Sequence, residues 1–274
     1  MSVTSQPARL LSREQAPAYV RRDFILTSYL VGGSYREAAL GTLFSLNNET
    51  LNAWTTIGGF LFISCLYGYS MVRLPVGAAP FTLFYLSALL HNPVSVACSC
   101  FIGVSDAARA FWRLADVMLI FTCAVPRGAA MAWFVFAGQP LLFATYLLAM
   151  ALDYIYCVAS TAVYRRVREI PRRRLVWDIA CIILGYTAPL AWQAARELRA
   201  QGEVGIAGET LAGVGACLAL SAYVCTQHVP ERWHPGRYDL FGQSHQVMHV
   251  LVVAEFVLEF LFVARMALAA TGQV

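Results

Sequence analysis

Seven long apolar stretches follow one another along the chain, and short polar segments separate them. Each stretch has about 20 residues, the length that an α-helix needs to cross the hydrocarbon core of a bilayer. The pattern therefore predicts an all-α integral membrane protein built as a seven-helix transmembrane bundle. The predicted spans are residues 51–72, 77–100, 113–136, 138–161, 175–195, 206–226 and 243–268.

The segment before the first span is polar and contains several arginines. It has no long apolar core, so we expect no cleavable signal peptide, and the first span itself directs insertion. Residues 1–20 are predicted to form a disordered tail, which leaves residues 21–274 as one transmembrane domain. Apolar and charged positions are mixed between Ser34 and Leu46, which favours a short interfacial helix before the first span.

Composition excludes a water-soluble domain and a disulfide-rich scaffold. Only 13% of the residues are charged, whereas soluble domains usually carry about a quarter. Most of the eight cysteines fall inside apolar stretches, where cysteine behaves as a small hydrophobic residue. Cys98 and Cys100 form a C-x-C pair, but no second pair follows at the spacing of a zinc site.

The arginines indicate which way the bundle is inserted. All 20 basic residues are arginines, and most lie before the first span or after an even-numbered span. Because positive residues are retained on the cytosolic side, the N-terminal tail is expected in the cytosol and the C-terminus outside. The net charge of +4 follows from this asymmetry and gives no indication of a nucleic-acid partner. The five arginines on the opposite side are Arg73, Arg127, Arg196, Arg199 and Arg265.

Three of the five histidines lie near the ends of spans. His91 follows Ser87 by four residues in the second span, and His245 and His249 open the seventh span four residues apart. A spacing of four places two side chains on one helix face, one turn apart. The second span ends, and the third and seventh begin, at the same membrane face. The three histidines and Asp116 are therefore expected at one depth, on the cytosolic side.

Three imidazoles at one depth are the usual ligands of a zinc site with one open coordination position. Zinc lowers the pKa of bound water toward about 7 and polarises a carbonyl. Asp116 can then hold the water, act as a base or orient a ligand imidazole, and Ser87 can donate to the water or a substrate oxygen. The alternative is that the histidines form hydrogen bonds with the backbone or with lipid head groups.

Other polar residues near the spans have less specific interpretations. Asp178 is placed near the cytosolic end of the fifth span, close to the histidines. Glu255 and Glu259 are interpreted as buried hydrogen-bonding residues or as residues that face the outer leaflet. The polar residues before the first span favour capping that helix and bonding its neighbours over a catalytic role. These residues are Asn48, Glu49 and Asn52.

Several motifs of the chain occur together in one known family. NNETLNAWTT at 47–56 resembles the block HNExxNxWTH, with Asn47 and Thr56 in place of two histidines. Ser87 to His91 matches S-x-x-x-H, and PERWHPGRYD with SHQVMHVL resembles PERxxPGxxD…SHQxxHxxV. RLAD at 113–116 is similar to the start of the family's third helix. The chain therefore resembles the progestin and adipoQ receptor family, which includes adiponectin receptors, membrane progestin receptors and haemolysin-III-like proteins.

The resemblance implies seven helices, a cytosolic N-terminus and a zinc ion held by His91, His245 and His249, with Asp116 and Ser87 beside it. Family members are associated with the hydrolysis of lipid amides such as ceramide. The resemblance thus implies a multi-pass receptor that binds membrane lipids, with a sphingolipid or a steroid as ligand, and that acts as a zinc-dependent lipid amidohydrolase. The alternative is a non-enzymatic signalling receptor or scaffold in which zinc is structural. The resemblance identifies no protein partner and no compartment.

Overall fold

The computed structural model describes residues 7–74, 78–163 and 171–272. Most of these residues are helical, and a two-stranded sheet lies near the N-terminus. In chain order the elements are β1 Arg9–Leu11, β2 Tyr29–Val31, α1 Tyr35–Phe44, α2 Thr50–Arg73, α3 Ala78–Phe101, α4 Asp106–Val135, α5 Pro140–Ala162, α6 Arg172–Gln201, α7 Ile206–Gln227 and α8 Ser244–Ala270.

Helices α2 to α8 are long and apolar enough to cross a membrane. They correspond to the seven predicted spans, so the prediction of an all-α multi-pass membrane protein is confirmed. Two helices are longer than their apolar stretches. Helix α4 starts seven residues earlier than predicted, because the Ser105 side chain caps it by accepting a hydrogen bond from Ala108 N at 3.1 Å. Helix α6 continues until Gly202, whose positive φ of 76° ends it.

Helix α1 is the short helix that the sequence predicted before the first span. Its first turn has a capping box, in which Ser34 and Glu37 bond to each other's backbone N–H groups. These hydrogen bonds from Ser34 lower the pKa of the exposed Glu37 carboxyl. Trp54 Nε1 on α2 donates to Leu43 O at 2.9 Å, which ties α1 to the first span. The interfacial position of α1 stays a prediction.

Residues 7–20 have local structure, although the sequence predicted a disordered tail over residues 1–20. Strand β1 pairs antiparallel with β2, with Leu10 opposite Leu30. The order comes from burial, because Ala16 and Val20 pack with Ile25 and Tyr29 in a small apolar cluster. Burial also raises the pKa of the Tyr29 phenol. Residues 1–6 lie outside the described part of the chain.

The chain divides into two compact units. Unit 1 comprises Met1–Gly59, Asn92–Val117 and Ala219–Val252, and unit 2 comprises Phe60–His91, Met118–Leu218 and Val253–Val274. Helices α2, α3, α4, α7 and α8 each contribute a segment to both units, whereas α5 and α6 belong to unit 2. Unit 1 therefore holds Asp116, His245 and His249, and unit 2 holds Ser87 and His91.

Candidate functional site

His245 and His249 lie next to each other at the start of α8 in unit 1. Their ring centroids are 4.5 Å apart with an interplanar angle of 61°. The helix begins where it does because the buried Glu231 carboxylate receives hydrogen bonds from both the backbone N–H of Ser244, at 2.8 Å, and its hydroxyl. A carboxylate at a helix N-terminus is favourable for the exposed N–H groups and the helix dipole. The histidine pair is thus built on a firmly capped first turn.

Two threonines of α2 contact the ring of His249. Nδ1 of His249 is 2.8 Å from Thr55 Oγ1 and 3.3 Å from Thr56 Oγ1. Sequence reasoning missed both threonines as partners of the histidine. The only sequence feature that pointed to either threonine is that Thr56 occupies the position of the last histidine in the family motif HNExxNxWTH.

The threonine contacts bear on the tautomer of His249, because either atom of each contact can be the donor. Each hydroxyl has a single hydrogen to donate. Thr55 donates it to its own helix, with Leu51 O at 2.7 Å, and Thr56 donates to Asn52 O at 3.0 Å. If both hydroxyls donate in this way, both oxygens accept from the ring, and Nδ1 then carries the proton while Nε2 carries the lone pair. A ligand histidine is usually oriented through its other nitrogen in this way.

Asn48, Glu49 and Asn52 form a buried polar network at the start of α2. The Glu49 carboxylate pairs with the Arg22 guanidinium, with Oε1 and Nη2 2.7 Å apart, and also accepts from Asn52 Nδ2 at 2.8 Å. Gln243 Nε2 donates to Asn48 O at 3.0 Å. The network joins the N-terminal segment, the first span and the residues just before α8. The structural role predicted for these residues stays a prediction.

The loop before α8 also holds the N-terminal segment in place. Both oxygens of the buried Asp239 carboxylate accept hydrogen bonds, from Leu26 N at 3.0 Å and from Thr27 Oγ1 at 2.6 Å. Gly236 N donates to Phe24 O at 3.1 Å. The sequence motif in this loop did not identify its contacts with residues 24–27.

The other predicted site residues lie on α3 and α4. Ser87, in unit 2, is buried, and its hydroxyl donates to Phe84 O of the same helix at 2.6 Å. His91, also in unit 2, and Asp116, in unit 1, are each partly buried. Asp178 is buried in unit 2, where it accepts from Ser160 Oγ at 2.7 Å and pairs with Arg174 at 3.2 Å.

Within residues 7–74, 78–163 and 171–272, no three His, Cys, Asp or Glu side chains are arranged to hold a metal. Zinc sites in proteins use at least three protein ligands, and the geometry of unit 1 supplies the two imidazoles of His245 and His249. The predicted set of His91, His245 and His249 stays a prediction.

Known proteins are similar to this chain over most of its length. The sequence model of the family described as Haemolysin-III related matches residues 44–260. Human Membrane progestin receptor gamma is 26% identical over 259 residues, which cover 89% of this chain and 77% of that protein. Heptahelical transmembrane protein 1 of Arabidopsis thaliana is 25% identical over 268 residues, or 91% and 79% of the two chains. The Adiponectin receptor protein of Drosophila melanogaster is 40% identical over 55 residues, which cover 20% of this chain and 12% of that protein.

Proposed function

This chain belongs to the haemolysin-III-related family, the progestin and adipoQ receptors, and on that premise we propose that it is a membrane receptor that binds zinc and hydrolyses a lipid amide. The proposed ligands are His91, His245 and His249, and Asp116 and Ser87 are the proposed assisting residues. The proposed substrate is a sphingolipid of ceramide type. The N-terminus is proposed to face the cytosol.

One observation carries the zinc proposal, namely the paired rings of His245 and His249 with the Nδ1 atom of His249 held by Thr55. Two imidazoles one helical turn apart are a common start of a zinc site, and a fixed second nitrogen keeps the lone pair in one direction. A third histidine would complete a catalytic type of site, which leaves one position for water or substrate.

A second candidate function is a signalling receptor or scaffold in which zinc is structural. The hydrogen bond from Ser87 to Phe84 O favours it, because that hydroxyl is already used within its own helix. The network of Arg22, Glu49 and Asn52 favours it as well, because it joins separate segments of unit 1.

The test begins with the metal content of the purified full-length protein in detergent. Wild type should contain about one zinc per chain, and His245→Ala and His249→Ala should lose most of it. His234→Ala is the matched control, because this histidine is exposed in the loop before α8 and should leave the zinc content unchanged. Zinc content far below one per chain in wild type would overturn both candidate functions.

The second measurement is the release of fatty acid from ceramide in mixed micelles. Hydrolysis by wild type that is lost in His245→Ala, with helical content retained, supports the hydrolase. A zinc-loaded wild type that hydrolyses no sphingolipid overturns the hydrolase and leaves the structural-zinc receptor.

A further inference from the structure

Unit 2 contains a buried ionic cluster that the proposed function does not use. Arg127 on α4 faces Glu255 and Glu259 on α8, one helical turn apart. Arg127 Nη2 is 2.8 Å from Glu255 Oε1, and Arg127 Nε donates to Glu259 Oε2. Tyr186 on α6 donates its hydroxyl to Glu255 Oε1 at 2.5 Å. The sequence predicted buried hydrogen bonding as one of two interpretations of both glutamates, and it did not identify Arg127 as their partner.

Three aromatic rings surround the guanidinium of Arg127. Its central carbon is 4.9 Å from the ring centroid of Tyr186, 5.1 Å from that of Phe256 and 6.0 Å from that of Phe84. The side chains of Glu255 and Glu259 are at most 1% exposed. The charges therefore lie in a medium of low polarity, where a net charge is costly.

The numbers of positive and negative groups in the cluster do not match. One guanidinium faces two carboxyl groups, so two ionised carboxylates would leave one uncompensated negative charge inside the span. When two acids share such a site, one of them is held in its protonated form. The other titratable groups that act on the cluster are neutral at pH 7 at their ordinary pKa values. They are Cys123 on α4, Tyr146 on α5, Tyr186 on α6 and Cys217 on α7.

The hydrogen bonds of Glu259 favour the same conclusion. Glu259 Oε2 is bound by Arg127, whereas its buried Oε1 receives no hydrogen bond from any donor in the described part of the chain. Oε1 of Glu259 is thus the oxygen at which a proton fits.

We propose that Glu255 and Glu259 form an intramembrane proton-binding site, in which one proton is shared by the two carboxyl groups and Arg127 balances the remaining negative charge. The site is separate from the histidine pair and does not depend on zinc. It joins α4, α6 and α8 as an electrically neutral cluster only while the proton is bound.

Infrared spectroscopy of the full-length protein in lipid at pH 7 tests this proposal. The carbonyl stretch of a protonated carboxylic acid is separate from that of a carboxylate, and an ordinary glutamate of pKa about 4.3 is ionised at this pH. Wild type should show about one protonated glutamate in this site, and both Glu255→Gln and Glu259→Gln should remove it, because each leaves one acid to pair with Arg127. Glu203→Gln, at an exposed loop position, is the matched control and should change nothing.

Removing the positive charge of Arg127 should have the opposite effect on the band of the protonated carboxylic acid. Arg127→Gln leaves two acids without a positive partner, so the signal should rise about twofold. If a variant fails to fold, the wild-type protein with ¹³C-labelled glutamate carboxyls still tests for a protonated glutamate. The label shifts the carbonyl band of a protonated carboxylic acid only if that acid is a glutamate. Absence of a protonated glutamate in wild type would overturn the proposal. Persistence of the band in a folded Glu255→Gln protein would overturn the sharing of one proton.

Discussion

A threonine hydroxyl has one hydrogen, and Thr55 gives its hydrogen to the Leu51 carbonyl of its own helix. With its hydrogen used in this way, the Thr55 oxygen acts toward Nδ1 of His249 as an acceptor. Thr56 acts in the same way with Asn52 O. We therefore expect two residues without charge or reactivity to favour the Nδ1–H tautomer of a candidate zinc ligand.

The effect of Thr55 and Thr56 on the tautomer of His249 can be tested without measuring activity. In wild type, ¹⁵N NMR of labelled histidine should give the Nδ1–H tautomer for His249. Replacing both Thr55 and Thr56 by Val removes both acceptors and should lower the population of that tautomer. If zinc binds as proposed, its affinity should also fall by about 10- to 100-fold.

Two controls accompany this experiment. The double Ser variant at Thr55 and Thr56 keeps both hydroxyls and should behave like wild type. Thr145→Val removes a similar bond, from a hydroxyl to Leu141 O at 2.8 Å on the exposed side of α5, and should leave His249 unchanged. An Nε2–H tautomer in metal-free wild type would contradict the assignment.

Sequence spacing predicts neighbours on one helix but not partners on another. His245 and His249 are four residues apart, and their rings are adjacent as helix geometry requires. Thr55 is 194 residues from His249, and Arg127 is 132 residues from Glu259. Such contacts depend on how the helices pack, and the apolar pattern that predicts a span carries no information about the rotation of the helix within the bundle.

At the scale of helices, Gly128 determines how closely α4 approaches its neighbours within unit 2. A Cβ atom at this position would lie 2.2 Å from the Tyr146 hydroxyl and 3.1 Å from Tyr186 Cα. The first atom ends a side chain that is 9% exposed, and the second belongs to the backbone of α6. Neither can move without a shift of packed groups beside Arg127.

Gly128→Ala should therefore lower the free energy of unfolding of the purified protein by about 1–3 kcal/mol, as at other overpacked positions. A lower melting temperature would show this loss. Gly68→Ala on α2 is the matched control, because no atom lies within 4 Å of its added Cβ. This change should leave stability unchanged or raise it by up to about 1 kcal/mol, since alanine favours the helix. Equal melting temperatures for the two variants would contradict the proposed close contact.

The presence and order of the seven long helices were predictable, but the ends of the helices and the structure of the N-terminal segment were less so. A run of apolar residues predicts where a helix is inside the bilayer, whereas its ends depend on capping groups such as Ser105 and on Gly202. Strand β1 has only three residues, so no periodic pattern marks it. Its order depends on its pairing with β2 and on the burial of Ala16 and Val20 nearby.

At the scale of the whole molecule, α2 to α8 are seven helices of the described residues that are long and apolar enough to cross a membrane, and seven crossings would leave the two ends of this chain on opposite sides. The arginine distribution predicts a cytosolic N-terminus. An N-glycosylation acceptor fused to either end tests this in a eukaryotic membrane. The C-terminal acceptor should be glycosylated and the N-terminal one should not. The chain without a fused acceptor is the control, because its own Asn48-Glu49-Thr50 segment matches the acceptor pattern N-x-S/T. Modification of the N-terminal acceptor alone would reverse the proposed orientation.

The two hydrogen bonds of Asp239 have a consequence for the biosynthesis of the chain. Their donors, Leu26 N and Thr27 Oγ1, leave the ribosome 213 and 212 residues before the carboxylate that receives them. At a synthesis rate of about 5–20 residues per second, this interval is on the order of 10–40 s. These two hydrogen bonds are therefore among the last contacts of Leu26 and Thr27 to form, and a nascent chain that stops before Asp239 keeps the donors without their acceptor.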